Sequence, residues 1–166
     1  PAPNLKFQTK EKLYKYAVTL CKSVGYKGLG TVEFLIDKNE KIYFMEVNPR
    51  VQVEHTITEE LTGIDLIRSQ INVFCGLSIQ DQNLTEVNII GKRASIQARL
   101  NMESYDKKIQ LVPATGTIKE YDIASGPGIR VDGAGKVGFK NDGLYDSLLA
   151  KVVATSDFGL SEAVRK

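Results

Sequence analysis

Two short β-branched and aromatic runs, Thr31 to Ile36 and Lys41 to Glu46, are separated only by Asp37-Lys38-Asn39-Glu40. No other feature constrains the fold of this chain as strongly. Runs of this length with turn-forming residues between them read as an antiparallel hairpin. With Lys38-Asn39 as a two-residue turn, Asp37 pairs with Glu40, Glu33 lies opposite Phe44, and Glu46 lies opposite Thr31. Glu33 and Glu46 are then diagonal neighbours on one face, about 7 Å apart at Cα, with Leu35, Ile42 and Phe44 beside them. Two acids against apolar surface repel each other and are costly to desolvate, so a shared cation is a natural reason for the pair.

Past the second run, Glu46, Asn48, Arg50, Gln52 and Glu54 occupy every second position, and Val47, Pro49, Val51 and Val53 fill the alternate ones. An extended chain aligns the five polar groups on one side. The alternation alone also fits a solvent-facing edge strand, which Pro49 favours. The residue types add chemistry: hard oxygen ligands of the kind Mg²⁺ takes, then a guanidinium fork suited to a planar oxyanion, an amide, and another acid.

The rest of the chain gives these runs a setting. Thr9 is a candidate N-cap for a helix carrying Leu13, Tyr14, Ala17, Val18 and Cys21 and ending at Gly25. Ile64, Leu66, Ile67, Ile71 and Phe74 read as the core face of a second helix, stopped by Gly76. A polar stretch runs from Gln80 to Asn88. Beyond it the pattern turns to strands at Ser95–Leu100, Gly116–Tyr121, Gly128–Val131 and Leu148–Ala154, with turns at Gly126-Pro127-Gly128 and Asp132-Gly133. The expected organisation is therefore α+β, with a mixed lobe over residues 1–85 and a mainly β lobe over residues 86–166.

A net charge of +2 gives no nucleic-acid surface. No apolar run approaches the length of a membrane span, and no signal or transit segment is visible. Cys21 and Cys75, far apart and without His or Cys neighbours, read as buried apolar residues, which favours a reducing compartment. Pro1-Ala2-Pro3 in place of an initiator Met, with a helix-like end at Ser161–Lys166, suggests an excised piece of a longer protein.

Gly30-Thr31-Val32-Glu33-Phe34-Leu35 and Phe44-Met45-Glu46-Val47-Asn48-Pro49-Arg50-Val51-Gln52-Val53-Glu54-His55 together resemble the signature of biotin carboxylases. Gln97-Ala98-Arg99-Leu100-Asn101, Ser125 to Asp132, and Tyr145-Asp146-Ser147-Leu148-Leu149-Ala150-Lys151 resemble that family's C-terminal motifs, in the same order. Met102-Glu103-Ser104 and Leu144 depart from the pattern, and Val47 with Pro49 is closer to its pyruvate carboxylase branch. Glu46-Val47-Asn48-Pro49-Arg50 also resembles the carbamoyl phosphate synthetase large chain, another ATP-grasp ligase, but the continuation Gln52 to Thr56 does not. A non-catalytic nucleotide- or metal-binding module is the remaining alternative.

The resemblance implies the C-terminal part of an ATP-grasp fold followed by a mainly β biotin carboxylase C-terminal domain, within an enzyme that carboxylates carrier-bound biotin from ATP and bicarbonate through carboxyphosphate. It implies Glu33, Glu46 and Asn48 as ligands of Mg²⁺ or Mn²⁺, and Leu35 and Met45 as adenine contacts. Arg50, the Gln52 side chain and the Val53 backbone amide would hold bicarbonate, Glu54 would take its proton, and Arg99 would stabilise the biotin enolate. Arg130 and Asp146 are weaker candidates near biotin, each equally suited to a local ion pair. His55 is expected to be structural or to orient Glu54 rather than bind metal, and Lys151 to be structural. The implied partners are a biotin carboxyl carrier domain and a carboxyltransferase domain or subunit. Self-association is left open, and neither nucleic acid nor membrane is implied. The location would be cytoplasmic, or the mitochondrial matrix in a eukaryote.

Overall fold

The computed structural model describes residues 4–87 and 90–166. The Pro-rich start and Asn88, which closes the polar stretch, lie outside the described residues. The chain divides into two compact units, Pro1–His55 with Ile64–Val87, and Thr56–Gly63 with Asn88–Lys166.

The first unit opens with α1, Phe7–Ser23, which ends as expected before Gly25, a glycine with φ 62°. Its start differs from the expectation. Lys6 takes the N-cap position without a side-chain cap, and Thr9 lies one turn inside the helix, 5% exposed. The Thr9 hydroxyl donates to Glu40 Oε2 at 2.8 Å, and the Lys6 backbone N–H donates to Glu40 Oε1 at 3.3 Å. A carboxylate from the hairpin loop thus satisfies a first-turn amide that a local cap would otherwise serve.

The hairpin forms from β1, Thr31–Ile36, and β2, Ile42–Asn48, but its register is not the one expected. Glu40 adopts φ 60°, its N–H donates to Asp37 O at 2.9 Å, and Ile36 pairs with Ile42. This is a three-residue loop with its last residue left-handed, held by Asp37 Oδ1 accepting from Asn39 and Lys41 N–H at 2.8 and 2.9 Å. The register shifts once more between Glu33 and Phe34, where Phe34 pairs with Phe44 and Glu33 with Glu46, leaving Met45 as the extra residue of a β-bulge. Phe44 and Ile42 therefore share a face with Phe34 and Ile36, not with Glu33, and the Phe34 and Phe44 rings meet edge to face at 6.2 Å.

The chain does not continue extended to His55. The strand ends at Asn48, Arg50 N–H donates to Asn48 O at 2.8 Å across Pro49, and His55 N–H donates to Gln52 O at 3.2 Å. That second turn starts α2, His55–Thr62, a helix the sequence reading did not find. Next comes α3, Leu66–Phe74, capped by Asp65, which accepts from Arg68 N–H at 2.8 Å. Its apolar face is not core within this chain, since Ile71 is 56% and Phe74 70% exposed. Cys75 is exposed as well, correcting the expectation that both cysteines are buried.

The second unit is built on an antiparallel three-stranded sheet in which β9, Leu148–Ser156, lies between β3, Ala94–Asn101, and β7, Ile129–Gly133. Its core is small: Ala150, Val153 and Ala154 of β9, with Ala163 of α4, Leu160–Arg165. Because β9 is covered on both faces, its buried residues run consecutively from Val153 to Ser156 instead of alternating. Gly128 lies against this strand, where a Cβ would collide with Thr155 O. Thr56 of α2 is fully buried and donates to Gln97 Oε1 of β3 at 2.7 Å.

Two small pairs complete the unit. They are β4, Glu103–Tyr105, with β5, Leu111–Pro113, and β6, Gly116–Thr117, with β8, Lys140–Asn141. The strand expected at 116–121 is cut to two residues because Ile118 bonds to loop residues, donating to Phe139 O and accepting from Gly138 N–H at 2.9 Å each.

Candidate functional site

Glu33 and Glu46 are direct cross-strand partners, so their side chains leave the same face of the hairpin. Asn48 lies two residues further along that face, opposite Thr31. Its Nδ2 donates to Glu33 Oε1 at 2.9 Å and to Glu46 Oε1 at 3.1 Å, so one amide nitrogen bridges both carboxylates. The carboxylate oxygens are therefore no farther apart than the two bonds laid end to end. At the mouth of this strand pair, Gly30 permits a close approach, since a Cβ there would come within 3.4 Å of Asn48 O and 3.2 Å of the Tyr26 ring.

The turn after Asn48 brings in the next groups by folding rather than by pleating. Gln52 Nε2 donates to Glu33 Oε1 at 3.2 Å, and Arg50 donates from Nη2 to Asn48 Oδ1 at 3.4 Å and from Nη1 to Val51 O at 3.3 Å. Glu33, Glu46, Asn48, Arg50 and Gln52 thus form one connected polar cluster. The His55 ring is hydrogen-bonded through Nδ1 to Gln52 O at 2.7 Å, so it braces the turn that carries Gln52. Val53 and exposed Glu54 lie in that same turn. Leu35 and Met45 are 59% and 49% exposed, as apolar groups available to a flat ligand would be. Among the described residues no group of three or more His, Cys, Asp or Glu forms a metal-holding cluster, so a cation here would depend on two carboxylates and the Asn48 amide oxygen.

Sequence reasoning missed the bulge at Met45 and the bridging role of the Asn48 amide. The bulge had a signal. Phe44 and Glu46 share parity, which in a regular strand puts an aromatic ring and an acid on one face, and one extra residue between them removes that conflict.

In the second unit, Arg99 lies on β3 opposite Lys151 and is exposed. Arg130 on β7 is the centre of an ion cluster. Nε and Nη2 grip Asp132 at 3.0 and 2.9 Å, and Nη1 reaches Glu59 at 2.8 Å and Glu60 at 3.4 Å. Hydrogen bonding to Asp132 raises the guanidinium further above its ordinary range, a shift opposed by partial burial and reinforced by Glu59. Lys151 Nζ is 3.7 Å from Asp132, a structural placement. Asp146 is exposed, with Oδ1 accepting from Leu148 N–H at 2.8 Å in a local turn.

Comparison with known proteins supplies the family. Residues 1–82 match the family described as carbamoyl-phosphate synthase L chain, ATP binding domain, and residues 97–166 match the biotin carboxylase C-terminal domain. The mitochondrial pyruvate carboxylase of Rattus norvegicus is 45% identical over 155 residues, covering 93% of this chain and 13% of that protein. A single-chain, multi-domain long-chain acyl-CoA carboxylase superposes with a TM-score of 0.91 at 39% identity, over 100% of this chain and 18% of that one. The biotin carboxylase of Campylobacter jejuni, solved as a β,γ-ATP complex, superposes with a TM-score of 0.85 at 33% identity, over 99% of this chain and 35% of that one. The chain thus spans only a small part of the length of these relatives. The ATP-binding match bears the name of the carbamoyl phosphate synthetase reading, but the C-terminal match and the carboxylase relatives decide against it. The fold is the C-terminal part of an ATP-grasp fold followed by the C-terminal domain, and the chain belongs to the biotin carboxylase family of biotin-dependent carboxylases.

Proposed function

We propose that this chain contributes the metal- and bicarbonate-binding wall of an ATP-dependent biotin carboxylase. The observation that carries the reading is the Asn48 amide suspended between two opposed carboxylates, with Gln52 and Arg50 gathered by the following turn. The donor set fits Mg²⁺ or Mn²⁺, because two carboxylates and an amide oxygen supply hard ligands and leave positions for substrate phosphate. Glu33, Glu46 and Asn48 would hold the ion, which supplies neutralisation of phosphate charge.

The remaining roles belong to the chain's own groups. Leu35 and Met45 offer apolar surface to the adenine of ATP. Arg50, Gln52 and the Val53 amide orient bicarbonate, and Glu54 accepts its proton as a bicarbonate oxygen bonds to the γ-phosphorus and ADP departs, giving carboxyphosphate. Arg99 offers a positive charge to the enolate that biotin forms on losing its ureido proton. Arg130 and Asp146, with local partners, take structural roles in this reading. Lobes of residues 1–85 and 86–166 carry these two sets of groups.

The partners this reading implies are a biotin carboxyl carrier domain and a carboxyltransferase domain or subunit, with self-association left open; that a similar structure is a single-chain, multi-domain carboxylase supports an arrangement of several domains. Among the described residues no helix is long and apolar enough to cross a membrane, and the rat relative is mitochondrial. A cytoplasmic or matrix location fits both facts.

The test is Glu54→Gln in the carboxylase that contains this chain. The amide keeps the shape but accepts no proton, so bicarbonate-dependent ATP cleavage should fall by about 10²-fold or more while ATP binding changes little. Unchanged turnover with weakened nucleotide binding would move Glu54 into a positioning role.

A further inference from the structure

The orientation of the Asn48 amide is fixed by charge. Nδ2 faces Glu33 Oε1 and Glu46 Oε1, and Oδ1 faces Arg50 Nη2. Turned the other way, the amide oxygen would point at two carboxylates and the NH₂ at a guanidinium, so every contact would be repulsive. The NH₂ therefore stands where a cation shared by the two acids would stand. A cation there reverses the requirement, because only Oδ1 can ligate it.

We propose that Asn48 is a two-position amide through which cation binding releases Arg50 for bicarbonate, so that metal precedes bicarbonate. This rests on the metal reading given under Proposed function. With NH₂ between the carboxylates, Oδ1 holds Arg50 Nη2 while Val51 O holds Nη1, and the guanidinium is folded back on its own turn. When Oδ1 turns to a cation, Nη2 loses its acceptor and meets an NH₂ donor. The guanidinium swings out and presents two parallel N–H groups to a planar oxyanion. Gln52 follows the same logic more weakly, since its Nε2 donates to the Glu33 oxygen that Asn48 also occupies. Coupling of this kind is reciprocal, so bicarbonate tightens the metal by the same factor.

The test uses the ¹⁵N-labelled 166-residue chain. The Asn48 NH₂ resonances are identified by their loss in Asn48→Asp. Mn²⁺ binding is followed by loss of the free-ion EPR signal in the wild type and in Glu46→Gln, and bicarbonate binding by ¹³C line broadening with and without Mg²⁺. The expected result is that Mn²⁺ binds the wild type and Glu46→Gln loses most of that affinity. Saturating Mg²⁺ moves the Asn48 NH₂ protons upfield as they leave the carboxylates. Mg²⁺ tightens bicarbonate by roughly threefold to tenfold, the net worth of one ordinary solvent-exposed hydrogen bond, and most of that factor disappears in Asn48→Ala. Glu46-dependent metal binding with unmoved Asn48 resonances overturns the amide switch and leaves the metal reading standing. Retention of the full bicarbonate factor in Asn48→Ala also overturns the switch, because the attraction between metal and anion then accounts for it. No Mn²⁺ binding in the wild type overturns the metal reading, and the switch with it.

Discussion

Replacing Arg130 by Met separates a structural role from one near biotin. The guanidinium makes a two-pronged contact with Asp132 at 3.0 and 2.9 Å and a single contact with Glu59 at 2.8 Å. Side-chain exposure is 33% for Arg130, 33% for Asp132 and 10% for Glu59, so solvent screens the first pair more than the second. Each charge-assisted contact is worth ~1.5–3 kcal/mol when shielded. Screening and the nearby Lys151 bring the combined cost well below the simple sum of the three contacts, to about 2–3 kcal/mol. If the second unit melts by itself, a loss of that size lowers its midpoint by roughly 10–20 °C. Circular dichroism melting reports the shift, and hydrogen exchange of the β7 and β9 amides assigns it to this unit. Arg130→Lys, which keeps the charge but not the fork, should recover about half of the loss. A Met variant melting within about 2 °C of the wild type would refute the ledger. If that stable variant also lost biotin-dependent turnover, Arg130 would belong with the substrate-handling groups.

Three further outcomes are expected. Hydrogen bonding from Thr9, ahead of the Lys6 contributions, lowers the Glu40 carboxyl below its ordinary value, so its stabilisation is present above the ordinary glutamate range and is lost as pH falls through the lowered value. The melting difference between wild type and Glu40→Gln should be full at neutral pH and vanish in acid, and a constant difference would contradict the linkage. Ile109 is a β-branched residue at φ 62° and is 80% exposed, so Ile109→Gly should raise the urea midpoint by the equivalent of about 1 kcal/mol; a lower midpoint would mean that the side chain packs. The 166-residue chain alone should release no biotin-dependent phosphate from ATP and bicarbonate, because it spans 35% of the biotin carboxylase chain it matches and in the proposed reading carries one wall of the nucleotide site; sustained release would show the site to be self-contained.

The hairpin was legible from two β-rich runs around a turn, whereas its register was not. Glu40 can enter the left-handed region only at some cost, and its contacts to Thr9 and Lys6 N–H, 31 and 34 residues away in sequence, offset that cost. A turn rule that sees only local residues does not contain those partners. Helix α2 was hidden for a similar reason. His55–Thr62 is only eight residues long and offers just Ile57 and Leu61 as an apolar pair, and the residue buried in it is Thr56, which donates to Gln97. Conversely, the apolar face of α3 was read correctly as helical and wrongly as core, because amphipathic spacing reports a face to be covered and does not say that the same chain covers it.

The candidate site survived two register errors because they cancelled. A three-residue loop shifts the pairing by one place, which alone would send Glu33 and Glu46 to opposite faces, and the bulge at Met45 shifts it by one more. Parity returns to its starting value only beyond the bulge. The acids and Asn48 therefore regain a common face, while Ile42 and Phe44, on the loop side, keep the opposite one and stack with Ile36 and Phe34. Each face is consequently of one kind near its end of the hairpin, aromatic toward the loop and acidic toward the turn that carries Arg50 and Gln52. A regular strand with the same residues would have set Phe44 beside the carboxylates and desolvated them. The bulge is thus the backbone feature that lets an apolar hairpin end in a polar cluster, and it makes the Asn48 bridge geometrically available.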